Sequence, residues 1–190
     1  MKYVFLDTET TGLNDDACVI TQLAAVAIDE KYNKLSEFER KFKFDVDDAT
    51  VGALKVNSYD EDTWAKEAKD PNVCLREFSD WVGPYRCVKK KSRKGKPYFV
   101  AKAIAHNSPF DKGFVTKAYK RAGLFCPIDY LWLDTLQLAL WKHRNNPLSS
   151  YRNAAIAELC GVDTSQAHDA LADCHISIET LKFLMDGRPL

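Results

Sequence analysis

The stretch Tyr3-Val4-Phe5-Leu6-Asp7-Thr8-Glu9-Thr10-Thr11-Gly12-Leu13 decides how the chain is read. Tyr3 to Leu6 run without a polar break, which predicts a central strand covered on both faces. Two acids follow, with only Thr8 between them. Side chains two apart in a strand point the same way, so this strand ends by presenting Asp7 and Glu9 side by side. Like charges that close are unfavourable unless something positive lies between them, and a divalent cation is the natural occupant. Thr10, Thr11 and Gly12 then form a polar turn where backbone can approach a ligand closely. The simpler reading is a strand that leaves the sheet with solvated acids, and this stretch alone does not separate the two.

Working outward, 190 residues with 46% apolar and 28% charged side chains suit one soluble globular domain over 1–190. The 27 cationic residues balance 27 acids, so overall charge points to no partner. No apolar run approaches the ~20 residues of a membrane span. Asp7 and Glu9 interrupt the only early apolar run, so no signal peptide is expected. Six cysteines without a C-x-x-C pair read as reduced, mostly buried thiols of a cytoplasmic protein.

Further along, Cys18 to Ile28 predicts a second strand, and Leu35 to Phe44 a third with clean alternation, half-buried at a sheet edge. Short helices are expected over 45–70. A helix from Val73 to Val82 should stop at Gly83-Pro84. Ser108 to Gly123 reads as a helix with Ser108 as its N-cap, and Tyr130 to Asp134 as a short fifth strand. Thr135 to His143, Tyr151 to Cys160 and Ala167 to Met185 all carry helical apolar spacing. The fold class is therefore α/β: an antiparallel meander plus parallel strands in a mixed five-stranded sheet, flanked by helices.

One segment departs from this pattern. Arg86 to Lys96 holds seven cations, and no acid occurs from Trp81 to Phe110. Tyr85 to Val88 and Tyr98 to Ile104 read as strands around a turn at Ser92 to Lys96, a basic hairpin insertion around 85–98. Its second arm should continue as the fourth strand of the main sheet, placing its base near His106-Asn107. Charge runs are usually solvated turns. Here the unbalanced cations, with Tyr85 and Tyr98 as stacking platforms, favour a nucleic-acid contact through Lys89, Lys90, Lys91, Arg93, Lys94 and Lys96.

Two more acids stand in notable places, Asp111 in His106-Asn107-Ser108-Pro109-Phe110-Asp111 and Asp173 in His168-Asp169-Ala170-Leu171-Ala172-Asp173. Four carboxylates from separate elements suit two Mg²⁺-like ions in phosphodiester cleavage, and a neutral imidazole such as His168 could take a proton from water. Each has a plainer reading. Asp111 suits a helix N-terminus, Asp173 could be solvated beside a competing Asp169, and His168 alone is more often a surface or capping residue. His106 and His143 read as structural, and His175 as solvent-facing.

Together, Asp7-Thr8-Glu9, His106-Asn107 with Phe110-Asp111, and His168 followed by Asp173 resemble the three motifs of the DEDD superfamily of 3′–5′ exonucleases. The His-x-x-x-x-Asp form resembles the DEDDh branch, which includes polymerase proofreading subunits and enzymes like RNase T and oligoribonuclease. The motifs span residues 3 to 174. The resemblance implies a ribonuclease-H-like sheet, Asp7, Glu9, Asp111 and Asp173 as ligands of two divalent ions (Mg²⁺ or Mn²⁺), and His168 as general base. It decides for Asp173 over Asp169, and it implies Thr10, Thr11, Leu13 and Asn107 as contacts to the terminal nucleotide. The implied activity is release of nucleoside 5′-monophosphates from single-stranded or frayed DNA ends, with a DNA polymerase as a candidate partner. RNA is the alternative substrate, since no residue reports on the 2′-hydroxyl. A binding module that kept the fold without catalysis is a second alternative, opposed by the presence of all five catalytic residue types.

Overall fold

The computed structural model describes residues 1–57, 59–165 and 169–185. Strands β1 (Tyr3–Thr10), β2 (Ile20–Ile28) and β3 (Lys34–Lys41) form the expected antiparallel meander, with β3 at the edge. Three helices follow, α1 (Val51–Val56), α2 (Glu61–Glu67) and α3 (Pro71–Trp81). Then come β4 (Val88–Lys91), β5 (Pro97–Val100) and β6 (Lys102–Ala105). The last elements are α4 (Ser108–Arg121), β7 (Leu133–Asp134), α5 (Thr135–Lys142), α6 (Asn153–Leu159) and α7 (Ala170–Met185). The main sheet runs β3-β2-β1-β6-β7, with β1–β6 and β6–β7 parallel. This is the mixed, helix-flanked sheet of the ribonuclease-H-like class, with β1 at its centre.

Alternation along β1 sorts its side chains between two cores. Val4 and Leu6 join Leu23, Ala25 and Phe38 beneath α3 and α4, through Leu75, Phe78, Phe114 and Val115. Phe5 joins Ala24, Val26 and Ile28 beneath α7, through Ala170, Cys174, Ile178 and Leu181. Every residue of β2 is buried, because it pairs on both edges and is covered on both faces. Burying each large apolar side chain of these layers contributes ~1.5–3 kcal/mol. The odd-numbered face of β1, towards α7, is therefore the face that carries Asp7 and Glu9.

Several expectations need correction. The fourth strand does not run through Tyr98 to Ile104. Ala101 instead bonds to the neighbouring loop, donating to the Pro127 carbonyl at 2.8 Å and accepting from Asp129 N at 2.8 Å. This breaks the strand into β5, which pairs only with β4, and β6, which enters the main sheet. β4 and β5 pair as a hairpin with its turn at Ser92–Lys96 and Gly95 at φ +77°, but its first arm is Val88–Lys91 and not Tyr85 to Val88, because Gly83–Tyr85 is a 3-10 turn. Its base is not near the acids, however. The parallel register pairs Tyr3 with Lys102, so the hairpin leaves the end of the sheet opposite Asp7 and Glu9. The fifth strand is two residues long. Ser108 is not the cap of α4, because Asn107 holds that position in a left-handed conformation (φ 61°, ψ 52°). Of the six free cysteines, only Cys74 and Cys174 are buried, and Cys87 is exposed. Among the described residues no helix is long and apolar enough to cross a membrane.

Candidate metal centre

Asp7 and Glu9 leave the same face of β1 near its C-terminal end, where a bulge against β2 follows Glu9 and bends the strand away. The first turn of α7 crosses that face and brings in Asp173. Carboxylate oxygens of Asp7, Glu9 and Asp173 all lie within 4.8 Å of one another. Asp111 arrives from the other side of the sheet, on the first turn of α4. Since β6 stops at Ala105, the far end of β1 has no strand partner on that side. Asp111 takes its place: its Oδ1 accepts from Thr8 N at 2.9 Å and from the Thr8 hydroxyl at 2.8 Å.

The electrostatics follow from this crowding. Burial, then the charges of Asp111, Asp173, Glu9 and Asp169, push the Asp7 carboxyl well above its ordinary range. Burial and the charges of Asp173, Asp111 and Asp169 push Glu9 up to about 7. Burial pushes Asp111 up to about 7, although both bonds from Thr8 favour its charged form. Cys174, beneath the cluster, has its thiol raised by burial and then by the same acids. Among the described residues no cation offsets Asp7 or Glu9. Hard oxygen donors in negative excess at the end of a strand are the donor set a divalent cation requires.

The acids open onto a cleft of about 710 Å³ lined by Asp7, Asp173, His106, Asn107, Tyr151 and Arg152, among others. His106 braces it. Its Nε2 donates to the Tyr151 carbonyl at 2.9 Å, so Nδ1 accepts from the Thr135 hydroxyl at 3.0 Å, and burial holds the ring neutral. That is the structural role expected of it. Asp134, next to Thr135, braces the same junction, capping α5 through Leu136 N and Gln137 N while accepting from Asn107 N, Ser108 N and the Ser108 hydroxyl. The sequence reading missed Asp134 and Arg152. An Asp directly before a helix was a visible cap signal for the first; Arg152 carries no local signal.

An exonuclease family model of the RNase T type matches residues 98–181. The PolC-type DNA polymerase III of Staphylococcus haemolyticus is 30% identical over 172 residues, covering 90% of this chain and 10% of the polymerase. The Staphylococcus aureus polymerase aligns with the same identity and coverage. Among solved structures, a zinc-bound complex of Escherichia coli exonuclease I with single-stranded DNA superposes with a TM-score of 0.76 at 20% identity. It covers 99% of this chain and 41% of that one. A complex of the same enzyme with a dA16 oligonucleotide gives 0.76 with the same coverage. Residues 98–181 thus match an exonuclease family, and the chain as a whole has the fold of exonuclease I. It spans about a tenth of the polymerases it matches and about two fifths of exonuclease I.

DEDD exonucleases depend on divalent metal, and the carboxylate cluster of this chain fits that requirement. The rival Asp169 is otherwise engaged. It caps α7 through Ala172 N at 3.1 Å and accepts from Gln22 Nε2 at 3.2 Å, the reason geometry favours Asp173. His168 lies outside the described residues. Thr10 and Thr11 are both buried with their hydroxyls engaged within the turn, Thr10 donating to the Gly12 carbonyl at 2.7 Å and Thr11 accepting from Val19 N at 3.0 Å. Leu13 is 88% exposed beyond that turn, and Asn107 lines the cleft. Lys90 and Tyr85 are likewise engaged within the chain. Lys90 pairs with buried Asp129 at 2.9 Å, while Tyr85 packs on Trp81 with its hydroxyl 2.7 Å from that of Ser36.

Proposed function

We propose that the chain is a metal-dependent 3′–5′ exonuclease of the DEDDh branch, removing nucleoside 5′-monophosphates from single-stranded or frayed DNA ends. The convergence of Asp7, Glu9 and Asp173 at an open cleft carries this reading. These three residues, with the second oxygen of Asp111, would hold two divalent ions, Mg²⁺ or Mn²⁺. When bound, such ions supply Lewis acidity to the scissile phosphodiester. His168, five residues before Asp173, accepts the proton of the attacking water. Water oxygen bonds to phosphorus, the bond to the upstream 3′ oxygen breaks, and that oxygen leaves as the hydroxyl of the shortened strand. Arg152 holds a phosphate oxygen at the cleft wall, and Asn107 and Leu13 contact the terminal nucleotide. DNA is favoured over RNA by the relatives, a DNA polymerase and an exonuclease solved with single-stranded DNA. The polymerase relative makes a DNA polymerase the partner to test first.

Matched DNA and RNA oligomers, labelled at the 5′ end and digested in parallel with Mg²⁺ or Mn²⁺, test it. The expected result is a descending ladder on DNA, mononucleotide product, and no ladder in chelator or with His168→Gln. Normal turnover by His168→Gln would sink its assignment as base. Binding without cleavage under every metal condition would leave the non-catalytic module as the correct reading.

A further inference from the structure

The hairpin sits away from the cleft, yet its two faces are chemically different. Its ladder pairs Val88 with Val100, Lys89 with Phe99, Lys90 with Tyr98 and Lys91 with Pro97. Alternation therefore puts Lys90, Tyr98 and Val100 on one face. That face is docked: Lys90 reaches Asp129, its Nζ lies 4.7 Å from the Tyr130 ring centroid, and Tyr98 meets Phe125 edge-on at 5.6 Å. The other face presents Lys89, Lys91 and Phe99, the last 50% exposed, and the turn adds Arg93, Lys94 and Lys96. Among the described residues none of these five cations forms an ion pair.

From this outward face we infer a second binding site for single-stranded nucleic acid, remote from the carboxylates. It rests on the exonuclease reading only for its occupant, the upstream part of the strand whose 3′ end enters the cleft. Five unpaired cations on one short ribbon match a polyanion, whose binding is driven by release of condensed counterions. Phe99, directly opposite Lys89, offers a flat face between cations, and base-on-aromatic stacking tolerates any sequence. An unstacked base is needed for that contact, which selects single strands over duplex. Tyr3, level with the start of β6, is four residues before Asp7, so β1 alone separates hairpin base from acids by ~13 Å. A dinucleotide in the cleft cannot reach that far.

The test compares the full chain with two variants, Phe99→Ser and the combined Lys89, Lys91, Arg93, Lys94 and Lys96→Ser. Lys90 is kept because it anchors the hairpin. Binding of a long fluorescent oligothymidylate is read by anisotropy in chelator across a salt series. Phe99→Ser should weaken it about five- to hundredfold. The combined variant should lower the log–log salt slope by up to ~3.5, about 0.7 for each cation in contact. Dinucleotide hydrolysis should stay within twofold of wild type. Unchanged affinity and slope, a loss confined to duplex, or a parallel loss on the dinucleotide would each overturn the site. Because binding is measured without metal, a chain that binds through the hairpin but never cleaves would refute the exonuclease reading and leave this one standing.

Discussion

Asp7 has the environment least tolerant of its charge, and that makes it the sharpest single-residue test. Asp7→Asn removes one of several crowded negative charges and one candidate ligand together. Cleavage should fall by more than about 100-fold, the most that losing a group that merely supports a ligand costs. The melting temperature in chelator should rise, since a buried like-charge repulsion is relieved. Both are read from one preparation, by oligomer digestion and by thermal denaturation; near wild-type turnover would remove Asp7 from the metal centre. Arg152 makes the complementary case. It is exposed at the cleft wall, so Arg152→Ala should leave stability unchanged and raise KM about tenfold with kcat within twofold. That is the loss of one charge-assisted contact of roughly 1.5 kcal/mol. An equal fall in kcat would instead place Arg152 at the transition state.

At the scale of elements, the site depends on how helices meet the ends of strands. Asp134 closes β7, caps α5 and accepts from the first amides of α4, so one carboxylate ties the starts of both helices together. Each cap contributes roughly 0.5–2 kcal/mol. Asp134→Ala should therefore cost about 2 kcal/mol in urea denaturation, and Asp134→Asn, which still accepts, should recover part of it. A loss below about 0.5 kcal/mol would mean that water replaces the carboxylate at both helix ends. Asn107 reports on the same junction. Its left-handed backbone lets the chain turn from β6 into α4 at once, bringing Asp111 back to Thr8. The hairpin shows the converse, an element held by its inner face through Lys90 and Asp129 while its outer face is left to solvent.

For the whole molecule, the carboxylate cluster couples folding to pH and to metal. Glu9 titrates near 7 when folded against an ordinary 4.5, and Asp111 is likewise raised to about 7. A raised carboxyl binds its proton more tightly in the folded state, so the stability it contributes is full below the unfolded pKa. That contribution is lost as pH rises through the folded value. In chelator the melting temperature should thus fall from about pH 5 to about pH 7.5, more steeply than in Asp7→Asn. Mn²⁺ should restore it, and by more at pH 8 than at pH 5, because cation and proton compete for the same oxygens. Thermal scans across that range with and without Mn²⁺ measure this directly. A metal-induced shift independent of pH would argue that the cation binds elsewhere.

What the sequence determined by itself was local and periodic. Four apolar residues before Asp7 and Glu9 specify a buried strand ending in two acids on one face, because strand alternation is a property of the backbone. Apolar spacing placed α3, α5, α6 and α7 within a few residues, end signals placed α4, and the turn at Ser92–Lys96 followed from its composition. Which acids meet was a different kind of question. Asp169 and Asp173 are equivalent as letters; only the docking of α7 on β1 leaves the first as a cap bonded to Gln22 and turns the second towards Asp7. Asp111 read as a residue serving its own helix, and the early end of β6 gave its carboxylate to Thr8 instead. The hairpin's position depended on the register of β6 against β1, a long-range pairing that no residue between 85 and 105 encodes. Local pattern sets what each segment is; strand register and helix packing, which join residues a hundred positions apart, decide which carboxylates meet.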